Sequence, residues 1–146
     1  MFSPTRDQAR QFFFDAWRKY RSQQMLEGLE AVAVELVLQH PEYHAVLDDP
    51  ERYLEQEYFP EMGETNPFLH LSMHLSLKEQ VSIDQPRGVR AEFERLARTL
   101  GSEHAAAHAA LECLAEMIWR AQRDAAAPDA VAYLDCLKSQ PRAARK

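Results

Sequence analysis

The sequence predicts an all-α protein, a helical bundle of at least four main helices with additional short helices. Three observations lead there. With only 4 glycines in 146 residues and no strongly alternating stretch, the chain lacks the turn chemistry and period-2 pattern of a sheet. Apolar residues recur instead at helical spacing, as Phe12, Phe13, Ala16, Trp17 and Tyr20 do. Prolines and small polar residues punctuate these runs where helices would start and stop.

Ser3-Pro4 reads as an N-cap and first-turn proline, opening a helix to about Gln24. A second helix spans roughly Leu26 to Gln39, with Leu26, Leu29, Val32, Ala33, Leu36 and Val37 on one side. Pro41 lacks an N–H and ends that helix near His40, leaving His44 one turn inside the next short segment. Asp48-Asp49-Pro50 starts another short helix through about Phe59, and Pro60 to Thr65 reads as a loop. Asn66-Pro67 caps a helix running to about Ile83. After the break at Asp84 to Gly88, Val89 to Leu100 forms a helix closed by Gly101. Ser102 caps the last long helix, to about Ala125, and Asp129 to Lys138 adds a short terminal one.

One domain is expected over 1–139, followed by a short basic tail over 140–146 that contains Arg142, Arg145 and Lys146. A net charge of −6, from 17 basic and 23 acidic residues, argues against nucleic acid as a partner. No run of about 18 apolar residues offers a membrane span, and the start Met1 to Asp7 lacks the pattern of a secretory signal. The expectation is a soluble, cytoplasmic protein with no membrane partner. Cys113 and Cys136 are too few for a disulfide framework and form no C-x-x-C unit, so they are expected as reduced, half-buried thiols.

All six histidines fall in pairs four residues apart: His40 and His44, His70 and His74, His104 and His108. Positions i and i+4 lie on one helix face, so each pair can aim two imidazoles at one point. His70 and His74 share a stripe with Leu77 and Val81, opposite Ser72, Ser76, Glu79 and Gln80. His104 is expected on a buried stripe with Leu111, Ala115 and Ile118, while Glu116, Arg120 and Arg123 mark the wet side. His108 lies toward Glu112, so that His104, His108 and Glu112 could form an edge of three ligands. Burying imidazoles without partners costs free energy, and a metal ion satisfies their lone pairs. The predicted ligands are therefore His70, His74, His104 and His108, completed by Glu112 or by His40 and His44. Neutral imidazoles favour a transition metal ion, Zn, Fe, Ni or Cu, over Mg or Ca. The acidic groups Glu27, Glu30 and Glu35, and Glu57, Glu61 and Glu64, are read as solvated faces.

The strings His40-Pro41-Glu42-Tyr43-His44, Asn66-Pro67-Phe68-Leu69-His70-Leu71-Ser72-Met73-His74 and Glu79-Gln80 resemble an uncharacterised bacterial family, domain of unknown function 1841. The similarity runs from the first helix to about Gln122 and implies a small cytoplasmic bacterial protein with no assigned activity. Family members often carry an acidic residue directly before the second histidine of the third pair, where this chain has Ala107. A looser likeness to hemerythrin-like and DinB-like bundles is one of architecture only.

The leading functional reading is a metal-binding helical bundle with histidine pairs from separate helices as ligands, its reaction and any small-molecule substrate unnamed. No Ser/His/Asp order, phosphate loop or dinucleotide fingerprint recommends a standard catalytic class. The alternative is a metal-free protein–protein interaction or regulatory module. The continuous Phe12-Phe13-Phe14 leaves one ring for the surface, where a protein partner or a second copy in a homo-oligomer could meet it.

Overall fold

The helix boundaries follow from how each backbone run ends. In the computed structural model, which describes residues 6–58 and 66–141, the elements are α1 (Arg6–Arg21), α2 (Gly28–Leu38), a 3-10 turn (Pro41–Tyr43), α3 (His44–Leu47), α4 (Pro50–Tyr53), α5 (Pro67–Ile83), α6 (Val89–Leu100), α7 (Glu103–Arg123) and α8 (Ala130–Ser139). No strand occurs among the described residues, so the fold is the all-helical bundle that the periodicity predicts. Among them, too, no helix is long and apolar enough to cross a membrane. The Ser3-Pro4 cap, the Pro60–Thr65 loop with Glu61 and Glu64, and the basic residues after Pro141 lie outside the described residues.

The starts match their sequence signals. Asn66 Oδ1 accepts the Phe68 and Leu69 amides at 3.0 and 3.1 Å, Ser102 Oγ accepts Ala105 N–H at 3.0 Å, and Asp129 Oδ1 accepts Ala132 N–H at 3.1 Å. The ends are less conventional. Gln23, Asp84 and Ala125 take φ of 58, 52 and 48°, the left-handed conformation that usually falls to glycine. The amides that follow each of them, of Gln24, Gln85 and Ala126, reach back to Lys19, Gln80 and Ala121 carbonyls at 2.8, 3.0 and 3.0 Å. These are Schellman closures, and they satisfy carbonyls that a helix end would leave open.

The chain divides into two compact units, 1–75 and 76–146, with the boundary inside α5. In the first, α1 packs on α2 and α3 around Phe13, Phe14, Trp17, Leu36, Val37, Leu47, Phe68 and Leu71. Phe12 is half-buried while Phe13 and Phe14 are core residues, so the expected exposed ring of that run is absent. Trp17 Nε1 donates to Asp48 Oδ1 at 2.7 Å, which tethers α1 to the end of α3. Arg10, only 2% exposed, donates to the carbonyls of Tyr53, Leu54 and Gln56 at 3.2, 3.0 and 2.7 Å and lies over the Phe68 ring. This corrects the expected helix to Phe59. The carbonyls that would propagate α4 turn instead to the guanidinium, and the helix stops at Tyr53.

In the second unit, α6 and α8 both pack on α7. Arg95 Nη2 donates to the Leu137 and Gln140 carbonyls, each at 2.9 Å, closing the α8 end. Tyr133 is buried and donates to Gln80 Oε1 at 2.7 Å, and burial pushes its phenol well above the ordinary range. Amides of Arg90 and Gly88 donate to the Asp84 carboxylate, holding it below its usual 3.8. The buried stripe of α7 is Ala106, Ala110, Leu111, Cys113 and Leu114, while His104, Ala115 and Ile118 are exposed. That corrects the predicted face. Two flanking helices and the small Ala106 and Ala110 decide which side of α7 they cover, and a single-helix stripe does not contain that information.

The cysteines are also corrected. Cys113 and Cys136 form a disulfide, with Cα atoms 5.7 Å apart. Packing of α8 against α7 brings together residues whose separation of 23 matches no local motif.

Two outcomes test this account. Arg10→Ala should lower unfolding stability by about 2–3 kcal/mol in urea titration, the scale of charge-assisted hydrogen bonds lost with carbonyls left behind. Ala125→Gly should raise the thermal midpoint, with a gain of about 1 kcal/mol from relieving the left-handed conformation of a residue with a Cβ.

Candidate metal centre

The end of α2 sets the position of the first histidine. Pro41 prevents the helix from continuing, and the last carbonyls of α2 need further donors. Two imidazoles supply them. His40 Nδ1 lies 2.7 Å from Leu36 O, and His44 Nε2 lies 2.9 Å from Val37 O. A carbonyl can only accept, so each of those nitrogens carries the proton. For His40 the consequence is specific: its Nε2 is left as a lone-pair donor on a ring only 3% exposed. An imidazole that gives its other N–H to a backbone carbonyl is in the arrangement common to metal ligands.

The second element is the N-terminal half of α5. Asn66 and Pro67 fix the helix start, which puts His70 in the first turn and His74 one turn later on the same face. His74 is buried and His70 half-buried. Their Nε2 atoms are 3.1 Å apart, with ring planes at 77° and centroids 4.7 Å apart. The spacing suits an N–H···N hydrogen bond, and it also suits two ligands on one ion. With metal–nitrogen bonds of about 2.0–2.1 Å, neighbouring ligands in a tetrahedral site stand about 3.3 Å apart.

The His40 ring meets both. Its centroid is 5.1 Å from that of His70 and 4.8 Å from that of His74, each edge-to-face. One ligand nitrogen from each of the three lies within 4.8 Å of the others. A histidine cluster drawn from separate helices, capable of holding a metal ion, is therefore present. Contraction toward about 3.3 Å would be needed on binding, a movement within the reach of side-chain torsions. The donor set fits a borderline transition ion: neutral nitrogens in a largely buried setting, with no carboxylate among His40, His70 and His74.

Tyr43 was not singled out by the sequence, yet it walls the cluster. Its ring stacks on His40 at 5.5 Å with planes 8° apart and meets His70 edge-on at 6.1 Å. Burial, and then the neighbouring Glu42 charge, push its phenol above the ordinary value. The signal was available: Tyr43 is three residues past His40 across a proline-started 3-10 turn, a repeat that stacks i on i+3.

The other predicted ligands occupy different settings. His44 is turned to α2 and packs its ring 4.7 Å from Trp17. His104 and His108 keep their helical pairing, with centroids 4.3 Å apart, but His104 is exposed and His108 half-buried. Glu112 is exposed, and its Oε2 accepts from Gln140 Nε2 at 3.1 Å. The acidic residues read as solvated faces divide: Glu30 is ion-paired with Lys19 at 2.8 Å, which lowers its carboxyl and raises the amine. Glu57 is exposed.

Set against known proteins, the chain is matched over residues 5–139 by the model of one family, described as Domain of unknown function (DUF1841). The match extends beyond Gln122, the limit of the resemblance carried by the sequence motifs. No curated protein and no solved structure matches the chain.

The ring protonation pattern is directly observable. Long-range proton–nitrogen correlation spectra of the metal-free protein should show His40 as the Nδ1–H tautomer, and the same tautomer in a His44→Ala variant.

Proposed function

The chain belongs to the DUF1841 family, whose function is unknown, so its chemistry must be argued from the histidine cluster; we propose that it binds one first-row transition metal ion. The ligands are His40, His70 and His74. The observation that carries this reading is the geometry of the triad: two Nε2 atoms 3.1 Å apart on α5, faced by a third ring whose tautomer the Leu36 carbonyl has already chosen. Hydrogen bonding between the rings explains the α5 pair. It does not explain why a third buried imidazole, with its donor nitrogen used elsewhere, joins them.

Zn, Fe, Ni and Cu all accept neutral imidazole, and Mg and Ca prefer oxygen. Three histidine ligands would leave a fourth position open for water activation or small-molecule binding.

Calorimetric titration of chelator-treated, untagged protein with Zn or Co should give one equivalent bound. His70→Ala/His74→Ala should weaken binding at least 100-fold and remove the metal-dependent rise in melting temperature, and His44→Ala should leave binding within 3-fold, all as order-of-magnitude expectations (about 1.4 kcal/mol per tenfold). Substoichiometric metal after reconstitution, with unaltered melting of the double variant, overturns the proposal.

A further inference from the structure

The disulfide of the second unit lies on the wall of a cleft. Between α7 and α8 a cavity of about 410 Å³ is lined by both Cys113 and Cys136, together with Glu116, Arg120, Arg123 and Asp129. Alanines 121, 126, 127 and 132 supply its apolar surface. The volume falls in the range of small-molecule clefts and is too small to admit a folded partner. Both signs of charge face it, which suits a zwitterionic guest.

The two sulfurs are not equivalent. Cys113 is 1% exposed and Cys136 is half-buried, so an entering nucleophile meets Cys136 first. Gln140, itself 4% exposed, holds its side-chain amide 3.7 Å from Cys113 Sγ. The same amide donates to Ala109 O at 3.3 Å and Glu112 Oε2 at 3.1 Å, and one of its two N–H groups, shifted to Cys113 Sγ as charge develops there, would stabilise that charge. At the other sulfur, Glu116 Oε2 is 3.8 Å from Cys136 Sγ and disfavours a thiolate on it. A buried sulfur beside a donor is thus the better leaving group, and a half-buried sulfur beside a carboxylate is the point of attack.

We propose that Cys113–Cys136 is a redox-active disulfide that exchanges with a small zwitterionic thiol bound in this cleft. The thiol gives its proton to water, and its thiolate attacks Cys136 Sγ. The Cys113–Cys136 bond breaks, Cys113 leaves as a thiolate and takes a proton from water, and a mixed disulfide remains on Cys136. A second thiol molecule attacks the mixed disulfide at the small molecule's sulfur. Cys136 leaves as a thiolate and is protonated, so two thiols have become one small disulfide and the protein has gained two thiol groups. The reverse sequence re-forms the bond. This step needs no metal and is independent of the histidine cluster.

The test uses the full-length oxidised chain with reduced glutathione as the probe, in the presence of chelator, followed by alkylation and intact-mass analysis. Native protein should open its disulfide without loss of helical circular dichroism. Acid quenching and peptide mapping of the partly opened native protein should find the glutathione adduct on Cys136 in at least 10-fold excess over Cys113. Glu116→Gln, which keeps the disulfide and removes the carboxylate charge, should open at least 3-fold faster than the native protein. Opening only in denaturant, or equal adduct at the two sulfurs with no effect of Glu116→Gln, overturns the proposal and leaves a purely structural cross-link.

Discussion

The termination of α2 governs the candidate site. A proline at position 41 forces the helix to stop with carbonyls facing outward, and two histidines four residues apart cap them. One ring is thereby spent on the helix end and packs, half-buried, against Trp17. The other is held by the same kind of bond but sets its ring edge-to-face with both histidines of α5. The capping requirement is backbone physics, present with or without a ligand. It pre-organises an imidazole lone pair in a buried setting, where an unassisted ring would choose its own tautomer and rotamer.

Spacing of i and i+4 has three outcomes in this one chain, because the pairing rule concerns a helix face and not its surroundings. On α5 the face is buried and both rings are drawn inward, side by side. At the end of α2 the same spacing spans a proline break, so the rings part and serve different neighbours. On α7 the rings stay together while only His108 is half-buried. The alanines around that pair permit close approach of other helices but do not specify the side, and packing of α6 and α8 decides it. Glu112, one turn past His108, then finds Gln140 as its partner.

The second unit has its own chemistry. Arg95 and the disulfide together fasten the last helix at its end and along its length, so Gln140 is buried although it sits at the start of what composition alone reads as a tail. That anchoring brings an amide beside one sulfur and a carboxylate beside the other.

What the sequence determined by itself was local. Periodicity and caps were enough for α5, α6, α7 and α8, because Asn66, Gly101, Ser102 and Asp129 act on amides and carbonyls within a few residues. They also located the break at His40 and the pairing of His70 with His74. The end of α5 at Ile83 was placed as well, but the left-handed conformation that closes the helices at Gln23, Asp84 and Ala125 was not legible, since those residues carry no glycine-like signal. Tertiary structure alone decided that Arg10 would cut α4 short, that Cys113 would meet Cys136, and that His40 would face α5 while His44 turned away. Each depends on groups distant in the chain competing for the same carbonyl, sulfur or buried face, and that competition is settled only when the helices pack.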